Sequence, residues 1–261
     1  MGDPVSIIVP ARYASSRFPG KPLVALRAPD GTVKTLIERA WEAARAVPGI
    51  DRVIVATDDS RIAHAAEGFG AEVAMTDPQA ANGTERCAEA ADALNLDGII
   101  VNLQGDAPLT PPWFVTALVE AMRADPAISV ATPVLRCDAE ALAAFRADRA
   151  AGRVGGTLAV TDRAGRALYF SKEVLPFGAG GPVPAFHHVG VYAFRAAALA
   201  EYPGLPQGFL EGAEGLEQLR FLENGIPVQC VEVEARGAVF WEVNNPEDVP
   251  RVEQALHRGR E

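Results

Sequence analysis

Lysine is nearly absent from this chain. Only Lys21, Lys34 and Lys172 occur among 261 residues, so arginine supplies 21 of the 24 basic side chains. Basic charge is short altogether: 24 Lys+Arg face 34 Asp+Glu, for a net charge of −10. That balance excludes a general nucleic-acid binder, which needs a basic face. It does not exclude a small phosphorylated substrate, which a few placed cations can hold. Cysteine occurs only at 87, 137 and 230, with no C-x-x-C spacing, which excludes a disulfide framework and a cysteine zinc site. No run of about 18 apolar residues occurs, so nothing reads as a membrane-spanning helix. No basic segment precedes the short apolar run at the N-terminus, which therefore does not read as a signal peptide, and the cytoplasm is the expected location.

What remains is a 49% hydrophobic, 22% charged composition, that of a soluble globular chain expected to form one domain over residues 1–261. The excess of alanine and of arginine over lysine reads as a GC-rich coding signature. The first half alternates strand and helix patterns. Strands are predicted over Val5–Val9, Arg52–Ala56, Glu72–Met75 and Gly98–Leu103. Helices are predicted over Thr35–Val47, Arg61–Phe69, Thr84–Leu94 and Pro112–Arg123. Such βαβ units imply an α/β fold with a mostly parallel sheet flanked by helices, whose ligands sit beyond the carboxyl ends of the strands. The second half is less regular. Strands are expected over Ile128–Val134, Thr157–Thr161, Ala167–Phe170, Val189–Phe194 and Val228–Val233, and helices near Ala139–Phe145, Leu216–Glu223 and Pro246–His257.

Several constellations fall at the strand ends. Pro10 through Pro22 carries Arg12, Arg17 and Lys21 among small residues, which suits either a polyphosphate or a solvated basic loop. It is neither a Walker A loop nor G-x-G-x-x-G. Asp106 follows a buried strand and Gly105, the placing of a Mg²⁺ carboxylate or of an ordinary turn aspartate. Asn82-Gly83-Thr84-Glu85-Arg86 opens a helix, either to bind a base or anion or simply to cap it. In His187-His188-Val189-Gly190-Val191-Tyr192, strand alternation puts His188, Gly190 and Tyr192 on one face. Leu216 through Arg220 reads as an amphipathic helix start. Glu242 through Asp248 reads as a strand end followed by a capped, Pro-started helix.

Taken in order, VPARYASSRFPGKPL, VATDD, NGTER, VNLQGDAPL, ALYFSK, HHVGVY, LEQLRFLENG and VNNPEDV resemble the 3-deoxy-manno-octulosonate (Kdo) cytidylyltransferase family over nearly the whole chain. The resemblance implies a nucleotide-diphospho-sugar transferase type, Rossmann-like α/β fold, CTP and an acidic acceptor as substrates, Mg²⁺ as cofactor and a homodimer. Residues about 135–205 would serve the acceptor and the dimer. Arg12, Arg17 and Lys21 would hold the triphosphate, with Ser16 beside them. Ala11, Asn82, Gly83, Arg86 and Gln104 would surround the cytidine. Asp106 and Asn244 would bind the metal. Gln104, Lys172, His188, Tyr192, Glu217 and Gln218 would line the acceptor pocket.

The chain departs from the family pattern on the metal and acceptor side. Asn244 stands where the family has a metal-binding Asp, Ala107 where it has Glu, Leu158 where it has Lys, and Lys172 where it has Arg. The stretch from Pro176 to Phe186 is uncharged and shorter than usual. With the GC-rich composition, these changes make a small phosphonate such as phosphonoformate, used in phosphonate natural-product synthesis, the expected acceptor. The alternatives are Kdo itself, another sugar acid of the sialic-acid kind, and a non-catalytic CTP-binding module.

Overall fold

The computed structural model describes residues 2–15, 17–153, 156–178, 184–238 and 240–258. Its elements run β1 (Val5–Ala11), β2 (Ala25–Arg27), β3 (Val33–Thr35), α1 (Leu36–Arg45), β4 (Arg52–Thr57), α2 (Ser60–Gly68), β5 (Glu72–Met75), α3 (Gly83–Ala93) and β6 (Ile99–Leu103). Then follow α4 (Pro112–Ala124), β7 (Val130–Arg136), α5 (Ala139–Ala150), β8 (Thr157–Thr161), β9 (Ala167–Ser171), β10 (Phe186–His188) and β11 (Val191–Arg195). The chain closes with α6 (Ala196–Glu201), α7 (Phe209–Glu214), α8 (Leu219–Glu223), β12 (Val228–Val233) and α9 (Val249–Arg258).

The main sheet has the order β5-β4-β1-β6-β11-β7-β10-β8-β9, with β12 also paired to β7. Strands β5, β4, β1 and β6 run parallel, as does the β7–β12 pair. Every antiparallel pairing of the main sheet involves a strand of the second half, and β2 and β3 pair antiparallel in a separate hairpin. Burial on both faces explains the near-continuous apolar run of β1, all seven residues of which are buried, Ser6 included. One face packs on Ile37, Trp41, Phe114 and Leu118, the other on Cys87, Ala91, Phe194 and Phe221. Among the described residues no helix is long and apolar enough to cross a membrane.

Most expected elements form, with shifted ends, and four differences are instructive. The strand expected over Val189–Phe194 forms as β11, starting two residues later, and a further short strand, β10, precedes it. After β10 the chain crimps, Val189 N–H bonding Pro133 and Val191 N–H bonding the Val189 carbonyl, and it pairs with β7 again as β11. The helix expected from Leu216 begins at Leu219. Gly215, at φ +62°, ends α7 instead, and Leu216–Gln218 form the turn between the two helices. The α5 helix runs five residues past Phe145, to Ala150. The β2–β3 hairpin, too short to show a period, and α6 and α7 were not anticipated.

Candidate active site

Parallel pairing of β1 with β6 brings the loops after both strands to one edge. Gly105 makes this close approach feasible, since a Cβ there would lie 2.6 Å from the Pro10 carbonyl oxygen. The loop after β1 folds back on itself. Gly20 adopts φ +70°, its N–H bonds the Tyr13 carbonyl at 3.0 Å, and the Tyr13 ring would touch any Cβ placed there. A turn over Lys21–Leu23 then aims the Lys21 ammonium at Asp106, Nζ to Oδ2 2.6 Å.

These loops and the start of α3 enclose a cleft of about 270 Å³. It is lined by nine of the expected residues: Ala11, Arg12, Arg17, Lys21, Asn82, Gly83, Arg86, Gln104 and Asp106. Ser16 lies outside the described residues. Arg12 and Arg17 are exposed, and Arg12 has no partner among the described residues. Among the described residues Arg17 hydrogen-bonds only the Asn244 Oδ1, at 3.4 Å. Cations without carboxylate partners, beside the N-terminus of a helix, are what a polyphosphate needs.

Not every expected contact is free for a ligand. Arg86 is buried, bonded to the Thr76 hydroxyl and 3.5 Å from Asp58. Asn82 caps α3 by accepting from the Glu85 N–H at 2.9 Å, while its amide donates to the Tyr202 hydroxyl. Gly83 meets Gln104, whose amide nitrogen would lie 3.1 Å from a Cβ at that position. The helix start therefore rests directly on the Gln104 side chain.

The expected acceptor residues lie beyond that cleft, except Gln104. Glu217 accepts from the Thr84 N–H at 3.1 Å, so it too sits at the start of α3. Burial raises its pKa against the pull of that bond. Gln218 is buried, and its amide nitrogen has no hydrogen-bond partner among the described residues. His188 packs on Phe170 and on Tyr192, with ring centres 4.9 and 5.5 Å apart, and its Nε2 bonds the Thr132 hydroxyl. Burial, with His187 as neighbour, pushes the His188 imidazole down to about 3, so it is neutral. The crimp at Gly190 thus leaves His188 and Tyr192 on the same face, as alternation predicted. Lys172 is held at the end of β9, its backbone N–H on Glu214 and its ammonium beside Gly215. The 179–183 part of the uncharged stretch lies outside the described residues.

Asn244 is fixed by its backbone. Asp248 accepts from the N–H groups of Asn244 and Asn245 at 2.9 and 2.8 Å and from the Trp241 indole at 3.1 Å. Burial pushes the Asp248 pKa up, but these bonds outweigh it and hold the carboxylate below its ordinary value. Val243 N–H bonds the Asp106 carbonyl at 2.9 Å, which lays this segment along Asp106. Sequence reasoning missed Glu242. Its carboxylate accepts from the Asn244 amide at 3.4 Å, and burial, then the Asp106 charge, push its pKa up to about 7. The signal was its spacing, two residues from Asn244 on the same face of an extended segment.

Asp106, Glu242 and Asn244 offer hard oxygen donors, the chemistry that suits Mg²⁺, which uses one or two carboxylates together with substrate phosphates. Among the described residues no three His, Cys, Asp or Glu side chains form a ready-made cage. An ammonium already sits on Asp106, so a cation fits there.

A strand-end cleft of this kind, with arginines at the mouth of a parallel sheet, is where open α/β folds bind phosphorylated ligands. The chain matches the cytidylyltransferase family over residues 6–233. It is 46% identical over 252 residues to the 3-deoxy-manno-octulosonate cytidylyltransferase of Maricaulis maris, covering 95% of each chain. It is 42% identical to the protein of that name from Syntrophotalea carbinolica, over 97% of this chain and 98% of the other. A solved CMP:2-keto-3-deoxy-manno-octonic acid synthetase complexed with CTP superposes with a TM-score of 0.84 at 35% identity, covering 97% of this chain and 98% of that one. The chain belongs to the 3-deoxy-manno-octulosonate cytidylyltransferase family, and it is a nucleotidyltransferase that uses CTP.

Proposed function

We propose that this enzyme transfers CMP from CTP to 3-deoxy-manno-octulosonate and releases pyrophosphate. The observation that carries the acceptor is the 46% identity to a relative of that name across 95% of both chains. The character of the acceptor side supports it. Gln104, Gln218, Tyr192 and neutral His188 are hydrogen-bonding groups, and Lys172 is the one cation among the six expected residues. A polyhydroxylated sugar acid needs such groups. A phosphonate-carboxylate concentrates more negative charge in a smaller molecule and needs more cations. The phosphonate reading rests instead on the departures at Asn244, Ala107, Leu158 and Lys172, on the short uncharged stretch from Pro176 to Phe186 and on the GC-rich composition.

Arg12, Arg17 and Lys21 hold the triphosphate, and the start of α3 with Gln104 positions the cytidine. An acceptor hydroxyl, giving up its proton to solvent, attacks the α-phosphorus in line, the new O–P bond forms as the bond to the β-phosphate oxygen breaks, and pyrophosphate leaves. Asp106 and Asn244 would hold Mg²⁺, which when bound would neutralise charge on the phosphates. Positioning and electrostatics supply the rate, without a covalent intermediate on the protein.

The test is pyrophosphate release with CTP, Mg²⁺ and either 3-deoxy-manno-octulosonate or phosphonoformate, the CMP adduct being identified by mass. Turnover with the sugar acid alone is expected, and turnover with phosphonoformate alone would overturn the acceptor. Asp106→Asn should abolish turnover, and wild-type rates in that variant would remove Asp106 from the metal site.

A further inference from the structure

We propose that Glu242 is an oxygen donor to the divalent cation, replacing within the same segment the carboxylate that Asn244 lacks. This rests on the magnesium-dependent reading above. Val243 anchors the segment: its side chain is fully buried with Leu26, Leu36 and Val252, and its N–H bonds the Asp106 carbonyl at 2.9 Å. With Val243 facing the apolar cluster, the residues on either side face the other way. Their contact shows it, the Asn244 amide nitrogen lying 3.4 Å from Glu242 Oε2. Asn244 Oδ1 lies 3.4 Å from the Arg17 guanidinium, so this face looks onto the phosphate loop.

Glu242 has no ion-pair partner among the described residues, whereas Asp106 has Lys21. Its other oxygen lies against Gly190, where a Cβ would stand 3.2 Å away, so the crimp between β10 and β11 leaves room for this carboxylate. The charge count closes as well. An Asp at 244 would give the site two carboxylates with Asp106, and Asn244 removes one. Glu242 restores it with a side chain one methylene longer, two residues back on the same face. Asn244 is then free to offer a carbonyl oxygen or to orient Glu242.

Manganese serves as the probe, titrated into the full-length protein with CTP and no acceptor, with free Mn²⁺ counted by electron paramagnetic resonance. Glu242→Gln should weaken Mn²⁺ binding at least roughly tenfold, the scale that even outer-shell losses reach. CTP affinity in EDTA should hold, which shows that the cleft is intact. Adding Asn244→Asp to Glu242→Gln should recover the binding. If Glu242→Gln binds Mn²⁺ like wild type while Asp106→Asn loses it, the proposal is wrong and the magnesium reading stands. Failure of the double variant to recover also overturns it. If wild type binds no more Mn²⁺ than CTP in buffer does, the magnesium reading itself falls and takes this inference with it.

Discussion

Adding one methyl group at Gly105 tests whether the site depends on the close approach of two strand ends. A Cβ there would stand 2.6 Å from the Pro10 carbonyl oxygen and 3.2 Å from Ile37 Cδ1. The isoleucine methyl can turn away, but the carbonyl is fixed at the end of β1. Relief to 3.0 Å, a distance Cβ atoms rarely undercut, requires the strand ends to part by at least 0.4 Å. Overpacking of this kind costs about 1–3 kcal/mol. In a chain of this size that lowers the melting temperature by roughly 2–4 °C per kcal/mol. The same movement separates the β1 loop, with Lys21, from Asp106, now 2.6 Å apart. A misplacement near 1 Å can cost about a hundredfold in rate, so about tenfold is expected here. The assay is kcat/KM for CTP at fixed acceptor, with thermal melting alongside. Gly212→Ala is the control. It lies in α7 with nothing within 4 Å of an added Cβ, and it should stabilise by about 0.5–1 kcal/mol. A Gly105→Ala enzyme with wild-type kcat/KM and melting temperature would refute the reasoning.

Two further outcomes are expected. His188 and His187 are pushed down to about 3 and about 4, chiefly by burial. The unfolded chain therefore binds more protons than the folded one between those values and about 6.5, and stability falls as pH drops through that window. Each histidine contributes up to about 1.4 kcal/mol per pH unit, and His188→Gln should flatten the acid limb of a urea-denaturation series against pH. An unchanged slope would show that His188 is protonated in the fold. Separately, Arg220 holds Glu211 bidentately at 2.8 and 2.7 Å, with Glu85 of α3 at 2.8 Å, and Arg220 and Glu211 are both buried. Glu211→Ala leaves the guanidinium half-paired and should cost about 3–5 kcal/mol in urea unfolding, and a loss under about 1 kcal/mol would show the pair to be dispensable.

Local signals carried much of this fold. The parallel-sheet elements showed in apolar runs and 3.6-residue spacing, and Thr157–Thr161 and Val228–Val233 form over the residues expected. Caps were legible too: Asn82 accepts from Glu85 three residues on, as its place before the helix predicted. That the loop after β1 and Asp106 fall at strand ends was readable because a buried strand precedes each. Less legible were α7, six residues long, and the β10–β11 crimp, which depends on how β7 is shared between two short strands. The acceptor side was less legible for a related reason. Substitutions at Asn244 and Lys172 counted as losses, while the carboxylate of Glu242 and the hydrogen-bonding character of Gln104 and Gln218 are properties of the assembled pocket.

By itself, then, the sequence determined the types of most elements and the family. Each is written in composition, period or motif. Only the tertiary structure decided that Lys21 meets Asp106 across 85 residues, that Glu217 bonds the start of α3, and that Glu242 stands beside Asn244 along Asp106. Periodicity is a property of neighbours along the chain, whereas these meetings follow from the parallel register of β1 on β6 and from a buried valine that turns its flanking side chains toward the phosphate loop.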